Sequence, residues 1–360
     1  MFLFSNLARP LIAACYSQET FMDNHDIKKN CLPAYARPGF ASVLLAMALL
    51  TITIAGCAGL SKDQGGITKA YVGNFKDGTV SVIDVASRQV IATIPVSSGP
   101  HGMAITPDGR FVYISSDGSS VVSVIDTSTD RVMGVIEVGS EPHGLAMTPD
   151  GRELWVAVKG TDKVEIIDTR GNQVVGNITV VSPHNIAFRP DGKSAYVASQ
   201  VSGNNALVEV DVKDRRVLRR VPLDKTPRAL DFDSDGRHLY FTEASVNAVL
   251  VLDPVSNEIV AKVPVGASPH HAKFMAGGAK NALVVSQDTN ELAVINLTNN
   301  QVVKTFQTGK NPHWIASGRE GRIAYITNEG ANSVSIIDLG TGYAKTVAVG
   351  SAPRKIVIQP

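Results

Sequence analysis

A proline recurs at Pro100, Pro142, Pro183, Pro227, Pro269, Pro312 and Pro353, with spacings of 42, 41, 44, 42, 43 and 41 residues. A fixed period of about 40–45 residues marks a repeat architecture, in which each unit buries its faces only against its neighbours. That constraint overrides the two domains that 360 residues would otherwise suggest. The residue after each proline is histidine in five units (His101, His143, His184, His270 and His313) and arginine in two (Arg228 and Arg354).

Each unit divides into four short segments. The first follows the proline pair and commonly ends in Pro-Asp-Gly, as at Pro107-Asp108-Gly109, Pro149-Asp150-Gly151 and Pro190-Asp191-Gly192. Such a turn uses proline to preset φ and glycine to accept positive φ. Gly277-Gly278 and Arg319-Glu320-Gly321 stand at this place in units six and seven, where less regular turns are expected. The second segment is aromatic and β-branched, as in Tyr71-Val72-Gly73-Asn74 and Tyr113-Ile114-Ser115-Ser116. The third, such as Val80–Asp84, closes on an Asp or Asn that caps a turn through backbone amides; the fourth resembles Val90–Val96. Four strands in each of seven units predict an all-β fold, a seven-bladed β-propeller over residues 69–360. The chain enters at the second segment of a unit and finishes on Arg354–Pro360, a first segment without its blade. Blade one is therefore expected to be closed by the C-terminal strand.

Pro142-His143-Gly144-Leu145-Ala146-Met147-Thr148-Pro149-Asp150-Gly151 and Val80-Ser81-Val82-Ile83-Asp84 resemble the repeats of the Tyr-Val-Thr-Asn (YVTN) β-propeller family. The resemblance spans residues 69–360 and implies the fold. That family includes binding proteins, surface-layer components and periplasmic proteins. A more distant likeness is to the haem-binding propeller of cytochrome-cd-type nitrite reductase and its cofactor-assembly relatives. Those tend to eight blades, and their attached cytochrome c, with its Cys-x-x-Cys-His, has no counterpart in this sequence.

In an up-and-down blade the proline pairs fall in the connection leading into the innermost strand, so they should ring one mouth of the channel. In blade order the ring reads Arg354, His101, His143, His184, Arg228, His270, His313. Convergent polar groups at a concave mouth are the default ligand site. Several readings of the ring stand side by side. The imidazoles could be framework, bonding carbonyls of adjacent blades. His101, His143 and His184 could converge on a transition metal. One histidine could be axial to a haem-like tetrapyrrole while Arg228 and Arg354 pair its carboxylates. The mouth could also hold a peptide or protein partner, helped by the polar loops Val201–Asn205 and Glu329–Asn332. His271 is expected to point into a blade interface and Trp314 to serve blade packing, with Glu141 the acidic residue nearest the mouth.

Residues 1–57 read as a signal region. Lys28, Lys29 and Arg37 precede an uncharged stretch from Gly39 to Leu60 that contains Ile54-Ala55-Gly56-Cys57. That ending resembles the lipobox of bacterial lipoprotein precursors. The resemblance implies cleavage before Cys57, lipidation of its sulfur, and a location in the periplasm or at the cell surface, with Ala58 favouring the outer membrane. An uncleaved membrane anchor is the alternative. Met22 is an alternative start, and residues 58–68 form a linker. All three cysteines, Cys15, Cys31 and Cys57, lie before the repeats, which excludes a disulfide framework or thiolate chemistry in the folded part.

A net charge of +1 gives no case for nucleic acid. The sequence contains no Gly-x-Ser-x-Gly elbow, Walker loop or dinucleotide fingerprint. The expectation is therefore a monomeric, lipid-anchored binding scaffold rather than an enzyme, with metal or tetrapyrrole binding and a structural surface role as alternatives.

Overall fold

The computed structural model describes residues 67–275, 280–318 and 320–360. The signal region, Cys57, the alternative start at Met22, most of the linker and the Gly277-Gly278 turn lie outside them.

The described strands form seven sheets of four antiparallel strands each. In blade two they are Pro100–Ile105, Phe111–Ser116, Val121–Asp126 and Arg131–Glu137, running from the channel outwards. The two middle strands are buried almost throughout, as expected of short Val/Ile/Tyr runs covered on both faces. The outermost strand buries only Ile136. Blade one is assembled from both ends of the chain: Pro353–Ile358 lies beside Lys69–Asn74, followed by Thr79–Asp84 and Gln89–Pro95. Tyr71 faces Val357 and Val72 faces Ile356 across that seam.

The apolar core lies between blades rather than within them. Seven clusters of buried side chains each join two neighbouring blades, including Tyr71 with Met103 and Ile356 with Tyr325. Burying a Val, Ile or Leu side chain contributes about 1.5–3 kcal/mol, so ring closure through blade one adds two such interfaces at once. Buried tyrosines reinforce the seams: the hydroxyls of Tyr71, Tyr113 and Tyr196 donate to Asp130, Asn172 and Asn257 of the next blade at 2.7, 2.7 and 2.8 Å. The acceptors sit at positive φ in the turn after each third strand.

Two details position the site. The pairing of first and second strands shifts register just past the proline in six blades, and in the matching stretch of blade one. Such a bulge breaks strict in-out alternation, and the second residue after the proline lines the channel cavity at Asn185, His271, Trp314 and Lys355. The turn glycines Gly109, Gly151, Gly192, Gly236 and Gly321 adopt φ between 63° and 71°, as the Pro-Asp-Gly pattern requires.

Candidate functional site

The five histidines following the prolines meet at one mouth of the channel. The rings of His101 and His143 stack at 3.7 Å, His143 and His184 lie 3.9 Å apart, and His270 and His313 also lie 3.9 Å apart. His101 bridges the two groups, edge-on to His313 at 5.9 Å. The imidazoles thus fill the channel at this level.

Hydrogen bonds fix the proton positions along one arc. Asn185 Nδ2 donates to the Arg228 carbonyl and to His184 Nδ1, both at 3.1 Å. His184 therefore carries its proton on Nε2, which faces His143 Nε2 at 2.7 Å. His143 must then hold its proton on Nδ1, which donates to the Asp117 carboxylate at 3.1 Å. On the other arc His270 Nδ1 donates to the His313 carbonyl at 3.0 Å. The Nδ1 atoms of His101 and His313 are buried and unpartnered among the described residues. Burial holds His101, His184 and His313 well below the usual imidazole range, aided by neighbouring imidazoles, with Arg354 adding to the effect at His101 and His313. Burial, with Arg228 beside it, brings His270 down to about 3.

The two arginines are engaged with protein groups. Arg354 lies over the Phe75 ring at 3.6 Å and donates to Glu329 at 3.2 Å. Arg228 donates to Ser268 at 3.1 Å and Gln287 at 3.4 Å, and burial lowers its pKa. Among the described residues these contacts engage only Nη1 of Arg228 and Nε of Arg354.

Asp117 is the residue that sequence reasoning missed. It belongs to an outer ring made by the residue after each second strand: Phe75, Asp117, Lys159, Gln200, Ala244, Gln287 and Glu329. Each donates its backbone N–H to the carbonyl of the residue before a ring proline, at 2.8–3.0 Å. One backbone bond therefore fixes the position, while the side chain differs from blade to blade. The available signal was its register, one residue past the aromatic second segment. Above the His143–His184 pair the mouth opens into a recess of about 210 Å³ lined by Asp117, Glu141, His143, Lys159, His184 and Gln200.

One residue deeper, His271 bridges blades six and seven as expected, stacking on Trp314 at 3.5 Å and accepting the Ile315 amide, and both rings also line a channel cavity. The register shift past Pro269 is the reason, since it brings consecutive residues to the channel. Trp314 packs partly against the seam between blades seven and one and also lines the cavity. The strand-ending Asp84, Asp126 and Asp253 accept backbone amides within their own turns, as read from the sequence.

A family model described as YNCE-like beta-propeller matches residues 51–148 and 146–276. The chain belongs to the YncE-like β-propeller family. The uncharacterized protein YncE of Salmonella typhi and that of Salmonella typhimurium are each 24% identical over 132 residues, 35% of this chain and 36% of theirs. The chain thus spans about a third of the length of the curated relatives it matches. Kuenenia stuttgartiensis hydrazine synthase superposes with a TM-score of 0.69 at 20% identity, over 74% of this chain and 91% of that one. The dihydro-heme d1 dehydrogenase NirN, in complex with DHE, gives 0.61 at 20% identity, over 78% and 63%. A protein of unknown function from Desulfotomaculum acetoxidans gives 0.70 at 15% identity, over 81% and 98%. These likenesses establish a shared propeller fold, and a haem propeller is among them.

Proposed function

We propose that the protein is a binding propeller, tethered outside the cytoplasm through Cys57, whose imidazole mouth takes a divalent transition-metal ion. One observation carries the metal reading: ligand atoms of His101, Asp117 and His143 lie within 4.8 Å of one another, and His101 Nδ1 is buried with no partner among the described residues. Imidazole nitrogen and carboxylate oxygen are the donor set of zinc, copper and related ions. Burial keeps His101 uncharged at neutral pH, the form that ligates. His184 bonds Asn185 through Nδ1 and His143 through Nε2, so it supports the set as a hydrogen-bonded neighbour, and metal entry displaces the His143–Asp117 proton. The set differs from His101, His143 and His184 by the carboxylate, which offsets part of the ion's charge.

The tether rests on the Ala55-Gly56-Cys57 ending after its apolar run. Protein purified without chelator or immobilised metal, then titrated with zinc or copper, should bind one equivalent and melt at higher temperature. A His101→Ala, His143→Ala double variant should lose both effects, and Cys57→Ser should release the protein from membranes without altering the titration. Absence of stoichiometric metal together with a melting midpoint indifferent to both ions would overturn the metal reading.

A further inference from the structure

Directly beneath the imidazoles, the next residue of each inner strand forms a second channel layer of different character. On blades six, seven and one this residue is large: His271, Trp314 and Lys355. Since His271 covers one face of Trp314 in near-parallel stacking, Lys355 Nζ, 4.3 Å from the ring centroid, lies over the other. On blades two to five the same position holds Gly102, Gly144, Asn185 and Ala229. Of these seven residues, Asn185, His271, Trp314 and Lys355 line a cavity of about 340 Å³. Its remaining walls include the apolar side chains of Leu145, Ile186, Leu230 and Ile315. It shares no lining residue with the mouth recess.

Lys355 is the unexplained group in this cavity. Its side chain is 8% exposed, and its only hydrogen bond among the described residues is a long one, 3.5 Å, to the Leu145 carbonyl. No carboxylate pairs with it among the described residues. The one acidic group lining the cavity, Asp231, is held by Lys273 at 3.0 Å, and both of those side chains are partly exposed. The Lys273–Asp231 pair is electrically neutral, and His271 accepts the Ile315 amide on Nδ1, so it is the uncharged Nε2–H tautomer. The cavity therefore presents one buried amine without a paired carboxylate, beside the apolar side chains of Leu145, Ile186, Leu230 and Ile315.

We propose that this cavity binds a small organic monoanion, a carboxylate on a compact apolar body, with the carboxylate paired to Lys355 and the body against Leu145, Ile186 and Leu230. Burying a lone ammonium is unfavourable unless a partner of opposite charge completes it. A carboxylate supplies that partner, and its apolar portion gains from leaving water at the walls. Consistently, burial pushes Lys355 down to about 7, and Lys273 adds to the shift. The volume lies at the lower end of the range for small-molecule sites, which selects against large ligands.

Benzoate, and its neutral counterpart benzamide, are suitable probes. Their binding is followed by calorimetry and by fluorescence of Trp314, the other tryptophan, Trp155, being sealed in a blade seam. Benzoate should bind at one site and benzamide at least about tenfold more weakly. Lys355→Met should bind benzoate at least about tenfold more weakly, while Lys355→Arg retains part of the affinity. The methionine variant removes a buried charge and should melt no lower than the parent. Benzoate should also protect Lys355 of the unmodified chain from reductive methylation, read by mass spectrometry, a measurement that needs no variant. Equal binding of benzoate and benzamide, undiminished binding by Lys355→Met, no protection of Lys355, or no saturable binding up to about 10 mM would each overturn the assignment.

Discussion

The two layers of the channel stand one residue apart on the same seven strands, yet one is packed solid and the other is hollow. In the upper layer every blade contributes a large polar side chain, and the five imidazoles lie in van der Waals contact at ring distances of 3.7–6.5 Å. In the lower layer Asn185, His271, Trp314 and Lys355 line the cavity, while Gly102, Gly144 and Ala229 at the same strand position do not reach it. The backbone repeat is common to both layers, so it sets where side chains point without setting whether a channel is open. A propeller of this kind can therefore change a plug into a pocket through substitutions at a single register.

The strongest way to break the comparison is to remove what both layers share. Truncation after Ala352 deletes Arg354 from the upper layer and Lys355 from the lower, together with the strand that closes blade one. The melting midpoint should fall by at least about 10 °C in a thermal scan, or folding should fail outright. A truncated chain that melts like the parent would show that neither layer depends on ring closure.

A smaller effect separates the layers by pH. Burial holds His101, His184, His270 and His313 in the upper layer, and His271 in the lower, below the imidazole range. Folded-state pKa values under an unfolded value of about 6.5 mean that the unfolded chain binds more protons in acid. The stabilisation is thus fully present above about pH 6.5 and is lost as pH falls below it, at up to about 1.4 kcal/mol per pH unit for each imidazole. Denaturant titrations of metal-free protein between pH 7 and 5 should show this loss, and His271→Gln should keep most of it. A flat profile would mean that the upper layer is hydrated rather than sealed.

The smallest effect tests how closely the strands approach. A Cβ at Gly102 would collide with the His143 carbonyl and lie 2.6 Å from Ser115 Oγ. Gly102→Ala should therefore cost about 1–3 kcal/mol by denaturant titration. Gly134→Ala, on an outermost strand with nothing within 4 Å of its added Cβ, should stay within about 0.5 kcal/mol. Equal costs would argue that blades two and three are not locked together beneath the imidazoles.

Much of this was legible in advance because a repeat restates its pattern. The blade count, the closing strand and the gathering of His101, His143, His184, His270 and His313 all follow from residues at matched positions. What escaped were features with no repeated identity. Asp117 occupies a position defined by a backbone bond, where Phe75, Lys159 and Glu329 stand in other blades. Lys355 and Trp314 escaped for a second reason: strict strand alternation turns them away from the channel, and only the register shift past each proline brings them back. A sequence displays periodicity readily, whereas a bulge is a property of two strands paired in space.

The seam of blade one also puts the site on a clock. Lys69 and Gln359, hydrogen-bonded across it, are 290 residues apart, so nearly the whole propeller must be made before they can meet. Contacts at such separation form late and slowly, since loop closure opposes them until the intervening blades are in place. Arg354 and Lys355 arrive only with that last strand, and each completes one channel layer. A chain that has not yet placed Pro353–Ile358 thus has blades but neither channel layer finished.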